Sequence, residues 1–162
     1  MKRPLVDVNV VLDALLGRPP HGEVAGTLWA AAERKRLEAL VPAHGVTTLH
    51  YLVRQATGAA AARSAVEAVL SVFGVAPVTA SVLGRAVSLG FSDFEDAVCA
   101  AAAEAAGCDL IVTRDPRGFR SATVPVVDVE TAVSLLRESS GPRGVAERAA
   151  RYGRSARRRR RR

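Results

Sequence analysis

Three aspartates stand beside predicted strand or helix ends, and their carboxylates are suited to bind a cation. Asp7 follows the apolar run 4–6, Asp115 comes shortly after the apolar run 110–113, and Asp96 begins an alanine-rich segment. Ligands of an open parallel sheet gather outside the carboxyl ends of its strands. We therefore expect Asp7 and Asp115 to converge although they are far apart in sequence, with Asp96 completing the cluster.

The segment 92–96 combines helix-start signals with one acid that these signals do not explain. Ser92 and Glu95 form an S-x-x-E pattern, which predicts a capping box. Asp93 would lie in the first helical turn, where the helix dipole favours a carboxylate. Asp96 would occupy the fourth helical position and share a face with small apolar residues, and an unpartnered carboxylate facing a core is costly. A cation or a basic group is therefore predicted opposite Asp96.

The expected cluster of oxygen ligands suits a hard divalent cation such as Mg²⁺ or Mn²⁺. A cation held among carboxylates can activate water for hydrolysis of a phosphodiester. Taken singly, Asp7 is also explained as a helix N-cap, and Asp115 as a turn residue before Pro116. The joint placement of the three acids is what favours a metal site.

Short apolar segments alternate with segments of helical periodicity, and this pattern predicts the elements that must position the acids. Strands are predicted at 4–8, 38–41, 75–78, 110–113 and 124–127, and helices at 9–16, 22–36, 44–57, 59–73, 80–89, from 92 onward and at 129–137. The strand sequences are apolar rather than alternating, which is typical of a parallel sheet covered on both faces. The predicted fold class is α/β, with a mostly parallel central sheet of about five strands.

The positive charge of the chain is concentrated at its C-terminal end. The formal net charge is +7, but residues 139–162 carry ten Arg and one Glu, so residues 1–138 sum to −2. A composition break near Ser139 predicts one domain over 1–138 and a disordered Arg-rich tail over 139–162. Two interpretations of the tail stay open: electrostatic attachment to nucleic acid, or a solvated run of charge.

Cysteine usage and hydropathy bear on where the protein acts. Cys99 and Cys108 occur without a CxxC pattern or a nearby His, which argues against zinc and predicts two buried free thiols. No apolar run reaches transmembrane length, and no secretory signal precedes the first strand. We expect a cytoplasmic protein without a membrane partner.

Three motifs together resemble the PIN domain family, in particular the VapC toxins of bacterial toxin-antitoxin pairs. They are the run 5–13 (LVDVNVVLD), the run 93–97 (DFEDA), and the run 112–115 (VTRD) with Phe119, so the resemblance covers about residues 3–137. It implies an α/β/α sandwich and a Mg²⁺- or Mn²⁺-dependent ribonuclease. It also implies dimerisation and inhibition by a small antitoxin. Its acids fall on Asp7, Asp96 and Asp115, which would be catalytic and bind the metal, with Asp93 as a further ligand and Asn9 and Thr113 in support.

The chain departs from the family pattern in the helix after the second strand. The family usually places a Glu in the region of 46–52, where this chain has His50 and Tyr51 but no acid. Either Asp93 compensates, or His50 joins the site, or activity is reduced; His50 is not assigned as a ligand. Arg114 and Arg117 are predicted to orient the RNA backbone.

Other functions for a sheet with acids at its strand ends are less consistent with the sequence. A phosphotransfer or receiver domain usually adds a lysine, and neither Lys2 nor Lys35 follows a late strand. A dinucleotide-binding domain requires glycines after the first strand, and 8–16 contains none. The remaining alternative is a non-catalytic PIN-like module that binds nucleic acid or a partner through a degenerate metal site.

Overall fold

The computed structural model describes residues 2–139, which form five strands, seven α-helices and one 3₁₀ helix. The predicted tail lies outside the described residues from 140 onward. In chain order the elements are β1 (Pro4–Val6), α1 (Val8–Leu16), α2 (Gly22–Glu33), β2 (Leu40–Pro42), α3 (Ala43–Thr57), α4 (Ala59–Val72), β3 (Gly74–Ala76), α5 (Ala80–Leu89), α6 (Phe94–Ala105), β4 (Leu110–Val112), the 3₁₀ helix (Pro116–Phe119), β5 (Val126–Val127) and α7 (Val129–Ser139).

The strands form one parallel sheet in the order β3-β2-β1-β4-β5. Leu5 of the central β1 lies opposite Leu40 of β2 on one side and Ile111 of β4 on the other. Strands β1, β2 and β4 are buried along their whole length, which explains why their sequences are apolar without alternation. The predicted α/β fold with a parallel sheet of about five strands is confirmed.

Helices cover both faces of the sheet and divide the core into two halves. On one face, α1, α2, α3, α4 and α7 bury aliphatic side chains such as Leu12, Leu28 and Leu49. On the other face, Val82 of α5 and the alanines of α6 pack with Leu5 and Ile111. The alanines at 100–103 are almost fully buried, so their small side chains allow α6 to lie close to the sheet. The result is the three-layer α/β/α arrangement that the resemblance implied.

The strand order places a crevice at the carboxyl ends of β1 and β4. From β1 the chain proceeds to β2 and β3 on one side, and it later adds β4 and β5 on the other, so the direction of winding reverses between β1 and β4. Ligands of open α/β sheets bind at such a reversal. The Asp7 backbone N–H donates to the Val112 carbonyl at 2.9 Å, which aligns the chain as it leaves β1 with the end of β4.

Two details of the predicted elements are corrected by the structure. Val8 was expected to end the first strand, but it begins α1, because Asp7 has extended backbone angles and serves as the N-cap residue. The 3₁₀ helix was not predicted. Its Phe119 is buried and packs edge-on against Phe91, with ring centroids 6.1 Å apart. This contact fixes the turn that follows Asp115 over the start of α6.

The state of the two thiols agrees with the sequence. Cys99 and Cys108 are both buried and free, as predicted. No helix within residues 2–139 combines the length and apolar character needed to cross a bilayer.

Candidate active site

Asp7 lies at the end of β1 with its side chain almost completely removed from solvent. It is one of only three buried polar residues in the described part of the chain, and its Oδ2 accepts a 2.9 Å hydrogen bond from Thr113 Oγ1. Burial raises the pKa of Asp7, whereas Thr113 and the polar groups of Val8 and Asn9 act in the opposite direction. The structure thus brings the predicted supporting residues Thr113 and Asn9 to Asp7.

The start of α6 supplies Asp93 and Asp96, but not through the predicted capping box. The N-cap residue is Asp93 rather than Ser92, and its Oδ1 accepts bonds from the backbone N–H groups of Glu95 at 2.8 Å and Asp96 at 3.3 Å. Because the helix begins one residue later than expected, Asp96 is its third residue. The Asp93 carboxylate satisfies the N–H groups at the helix start, where the helix dipole also favours it.

Asp96 is the point at which the acids of the site influence one another. Its pKa is raised to about 6, first by burial and then by the negative charges of Asp93, Asp7, Glu95 and Asp115. Acids from the end of β1, the start of α6 and the segment after β4 therefore act on one carboxylate, which agrees with the expected convergence. No ion pair to Asp96 occurs within residues 2–139, so its charge is left uncompensated by the protein.

The 3₁₀ helix passes close to Asp96 and leaves no room for a side chain there. A Cβ placed on Gly118 would lie 2.6 Å from Asp96 Oδ2. This glycine was not identified from the sequence, because its importance depends on a contact between two distant segments. Gly118 therefore sets the space around the carboxylate oxygen of Asp96.

Asp115 is more exposed than Asp7 and is held in its own turn. Its Oδ1 accepts bonds from the backbone N–H and from Nε of Arg117, both at 3.2 Å, and its N–H donates to Thr113 Oγ1 at 3.3 Å. The Thr113 hydroxyl thus links Asp7 and Asp115. Arg117 itself is mostly exposed, with its guanidinium directed back to Asp115.

The donor chemistry fits a hard divalent cation, although the side chains do not form a closed ligand shell. Within residues 2–139, no three His, Cys, Asp or Glu side chains are close enough together to form a metal-binding group. Mg²⁺ keeps several waters and often uses only one or two carboxylates. Asp96 offers carboxylate oxygens in a strongly negative environment, with Asp7 buried beside it in the same field. These are the ligands and the charge that such a partly hydrated cation requires.

Three residues that the sequence analysis did not assign lie along the contact of α3 with α6. Thr48 Oγ1 donates to Glu95 Oε1 at 3.3 Å, and His44 Nε2 lies 3.9 Å from the same oxygen. Burial lowers the pKa of His44, whereas the nearby negative charges of Glu95 and Asp7 raise it. His44, and not the His50 considered from the sequence, is therefore the histidine beside the acids. The i, i+4 spacing of His44 and Thr48 indicates a shared face, but nothing in the sequence pairs that face with α6.

Arg114, predicted to contact RNA, is engaged with a buried acid that the sequence analysis did not assign. Its Nη1 lies 3.1 Å from Oδ1 and 3.4 Å from Oδ2 of Asp13, whose side chain is only 1% exposed. Asp13 was quoted within the opening motif without a role. A helical acid with an arginine 101 residues away gives no local signal of pairing.

Comparisons with known proteins agree with the fold. The chain resembles the structures of VapC20 from Mycobacterium tuberculosis, described as a sarcin-ricin loop cleaving toxin (20% identity, 75% of this chain and 96% of that chain, TM-score 0.62), and VapBC2 from Rickettsia felis bound to a promoter DNA fragment (16%, 78% and 98%, TM-score 0.62). It also resembles FitAcB from Neisseria gonorrhoeae (22%, 78% and 98%, TM-score 0.60). At these identities the likeness concerns the fold, and no curated protein sequence gives a significant match. A model of the PIN domain matches residues 3–117, and the chain therefore belongs to the PIN domain family.

Proposed function

We propose that this protein is a Mg²⁺- or Mn²⁺-dependent endoribonuclease that hydrolyses RNA phosphodiester bonds at the crevice around Asp96. The observation that carries the proposal is the placement of acids from three segments at the reversal of the sheet, after β1, at the start of α6 and after β4. In agreement with it, burial and the negative charges of Asp93, Asp7, Glu95 and Asp115 raise the pKa of Asp96 to about 6. Asp96, which has no ion-pair partner within residues 2–139, and the buried Asp7 would attract an external cation to this end of the sheet.

The proposed roles follow from how each acid is held. Asp7 and Asp96 would be the principal ligands, Asp115 would complete the set from the segment after β4, and Asp93 would assist from the N-cap position. The bound cation would supply charge neutralisation at the scissile phosphate and a water of lowered pKa. Thr113 fixes Asp7 and Asp115 through one hydroxyl, so that both acids keep their positions when the substrate arrives.

We further propose RNA as the substrate and a toxin-antitoxin pair as the biological setting. The resemblance to VapC toxins favours this setting, and structurally similar proteins include one described as a sarcin-ricin loop cleaving toxin and another as a toxin-antitoxin complex. A small antitoxin protein would then be the inhibitory partner, and the active form would be a homodimer in the cytoplasm. Arg114 and Arg117 are the proposed contacts to the RNA backbone.

The proposal is tested by incubating a mixed RNA pool with the full chain, with and without Mg²⁺ or Mn²⁺. We expect cleavage only with the cation, and at least about 100-fold less cleavage by Asp96→Asn. Residues that only support a metal ligand contribute about 10- to 100-fold to activity, and a direct ligand should contribute more. Glu104→Gln is the matched control, since it removes one acid from the far end of the same helix.

The outcome also decides between the enzyme and the binding module. Cation-dependent cleavage that Glu104→Gln retains and Asp96→Asn loses would support the enzyme. RNA binding by a folded chain that cuts nothing under any of these conditions would contradict it and favour the degenerate module.

A further inference from the structure

The ion pair between Asp13 and Arg114 joins α1 to the segment that leaves β4. Asp13 is almost fully buried, whereas 41% of the Arg114 side chain remains exposed. A buried carboxylate is costly unless a charged or hydrogen-bonding partner compensates it, and Arg114 is that partner. Breaking this pair would leave a charge buried inside the domain.

The pair uses only part of the hydrogen-bonding capacity of Arg114. Both contacts to Asp13 are made by Nη1, and no other acceptor contacts the Arg114 guanidinium within residues 2–139. A guanidinium carries five N–H donors in a rigid plane. Several N–H donors of Arg114 are therefore available at the surface, while the buried Asp13 fixes the orientation of the guanidinium.

The position of Arg114 places these donors at the edge of the crevice. Arg114 stands between Thr113, which is bonded to Asp7, and Asp115. Asp13 follows Asp7 by six residues of α1, or about 9 Å along the helix axis. Within residues 2–139 the guanidinium contacts Asp13 and none of the site acids, so its remaining donors can meet a phosphate other than the one being cut.

We propose that Asp13 is a positioning residue that holds Arg114 ready to bind an RNA backbone phosphate flanking the cleaved bond. This inference rests on the proposed ribonuclease function. Arginine side chains have many rotamers, and fixing one before the substrate arrives removes an entropic cost from binding. Asp13 touches no substrate; its effect passes entirely through Arg114.

The test measures binding of a mixed-sequence, fluorescently labelled single-stranded RNA pool to the full chain in an Asp96→Asn background without added cation, so that cleavage is suppressed. Asp13→Asn makes the protein more positive by one charge, so bulk electrostatics alone would strengthen RNA binding. We expect the opposite, a weakening of about three- to ten-fold, because the guanidinium is no longer fixed. Arg114→Gln should weaken binding at least as much and reduce the salt slope by about 0.7, the value of one phosphate contact on a single strand.

The controls come from a second ion pair with similar exposure on the arginine side. Arg85 of α5 pairs with Glu104 at 3.1 Å, and the two side chains are 42% and 40% exposed. Glu104→Gln and Arg85→Gln reproduce the two charge changes away from the crevice. Glu104→Gln should leave RNA affinity unchanged or slightly increased, and Arg85→Gln should leave the salt slope unchanged.

The double variant Asp13→Asn, Arg114→Gln should bind RNA with the affinity of Arg114→Gln alone, because the effect of Asp13 acts through Arg114.

Three results would overturn the proposal: Asp13→Asn binds RNA as tightly as Glu104→Gln, Arg114→Gln leaves affinity and salt slope unchanged, or Asp13→Asn fails to fold by circular dichroism. The last would make Asp13 a structural residue only. Because binding is measured without cleavage, these results are independent of whether the wild-type chain cuts RNA.

Discussion

The two ends of α6 treat carboxylates in opposite ways. At its start, Asp96 lies within the field of Asp93, Asp7, Glu95 and Asp115, and no arginine or lysine of the described chain pairs with it. Near its end, Glu104 is paired with Arg85 at 3.1 Å. The helix dipole favours acids at the start and disfavours them near the end, but this effect falls off within one turn and cannot offset a cluster of like charges. Within residues 2–139 the fold therefore pairs Glu104 with an arginine and leaves Asp96 without one, as the proposed cation site requires.

The largest expected difference between the two ends of α6 is in cation binding, which is measured without substrate. We expect Mg²⁺ or Mn²⁺ at about 100 times its dissociation constant to stabilise the wild-type chain by about 2.7 kcal/mol. That corresponds to a rise of about 5–10 °C in Tm for a domain of this size. Asp96→Asn should lose most of this rise, whereas Glu104→Gln should keep it, in thermal unfolding followed by circular dichroism.

The cation experiment also separates the two ends of α6 as sources of the effect. An equal rise in both variants would place the cation elsewhere on the chain and contradict the assignment of Asp96. Chelation should return each protein to its metal-free Tm, because the stabilisation is a binding equilibrium.

The sequence could predict those features of the fold and of the site that have a local signal. The central sheet was predicted correctly because its strands are short apolar runs separated by periodic helices. The convergence of Asp7, Asp96 and Asp115 was expected because Asp7 and Asp115 follow strands and Asp96 lies at a helix start, and their roles as metal ligands stay a prediction. The capping box at Ser92 was wrong because two adjacent residues, Ser92 and Asp93, are both good N-cap residues, and sequence alone does not decide which one adopts the extended backbone.

The residues that the sequence missed act only through contacts between distant segments. Glu95 is held by Thr48 and His44 from α3, and Asp13 by Arg114 from beyond β4. Gly118 matters because the 3₁₀ helix crosses Asp96. None of these pairings has a periodic or local signature, so each required the packed structure.

A smaller effect is expected when the Asp96 carboxylate is displaced but not removed. In Gly118→Ala the new Cβ would lie 2.6 Å from Asp96 Oδ2, so the flexible carboxylate must shift. We expect about a ten-fold loss of RNA cleavage, since small misplacements at a reacting site are costly, with Tm changed by no more than a few degrees.

Gly84 provides the matched glycine for this change. It lies in α5, where an added Cβ meets nothing within 4 Å. Gly84→Ala should retain full cleavage and gain about 0.5–1 kcal/mol of stability, since alanine is favoured over glycine in a helix interior. A Gly118→Ala protein as active as Gly84→Ala would show that the space beside Asp96 is not critical.

The smallest expected effect is a pH-dependent stability difference at Asp96 in the absence of metal. Its folded-state pKa is raised from 3.8 to about 6, so between these pH values the native state binds the proton more tightly than the unfolded chain does. The stability that this protonation contributes is therefore lost as pH rises from about 4 through about 6. Asp96→Asn lacks this loss. Solvent screens a half-exposed group, so we discount the effect and expect Asp96→Asn to be about 1 kcal/mol more stable than wild type at pH 7, or about 2–4 °C in Tm. At pH 4 the two proteins should be nearly equal in stability.

Glu104→Gln should show no such gain at pH 7, because it removes an acid that Arg85 compensates. A difference between Asp96→Asn and wild type that does not change between pH 4 and pH 7 would mean that the charge of Asp96 is already compensated, and the two ends of α6 would then be electrostatically alike.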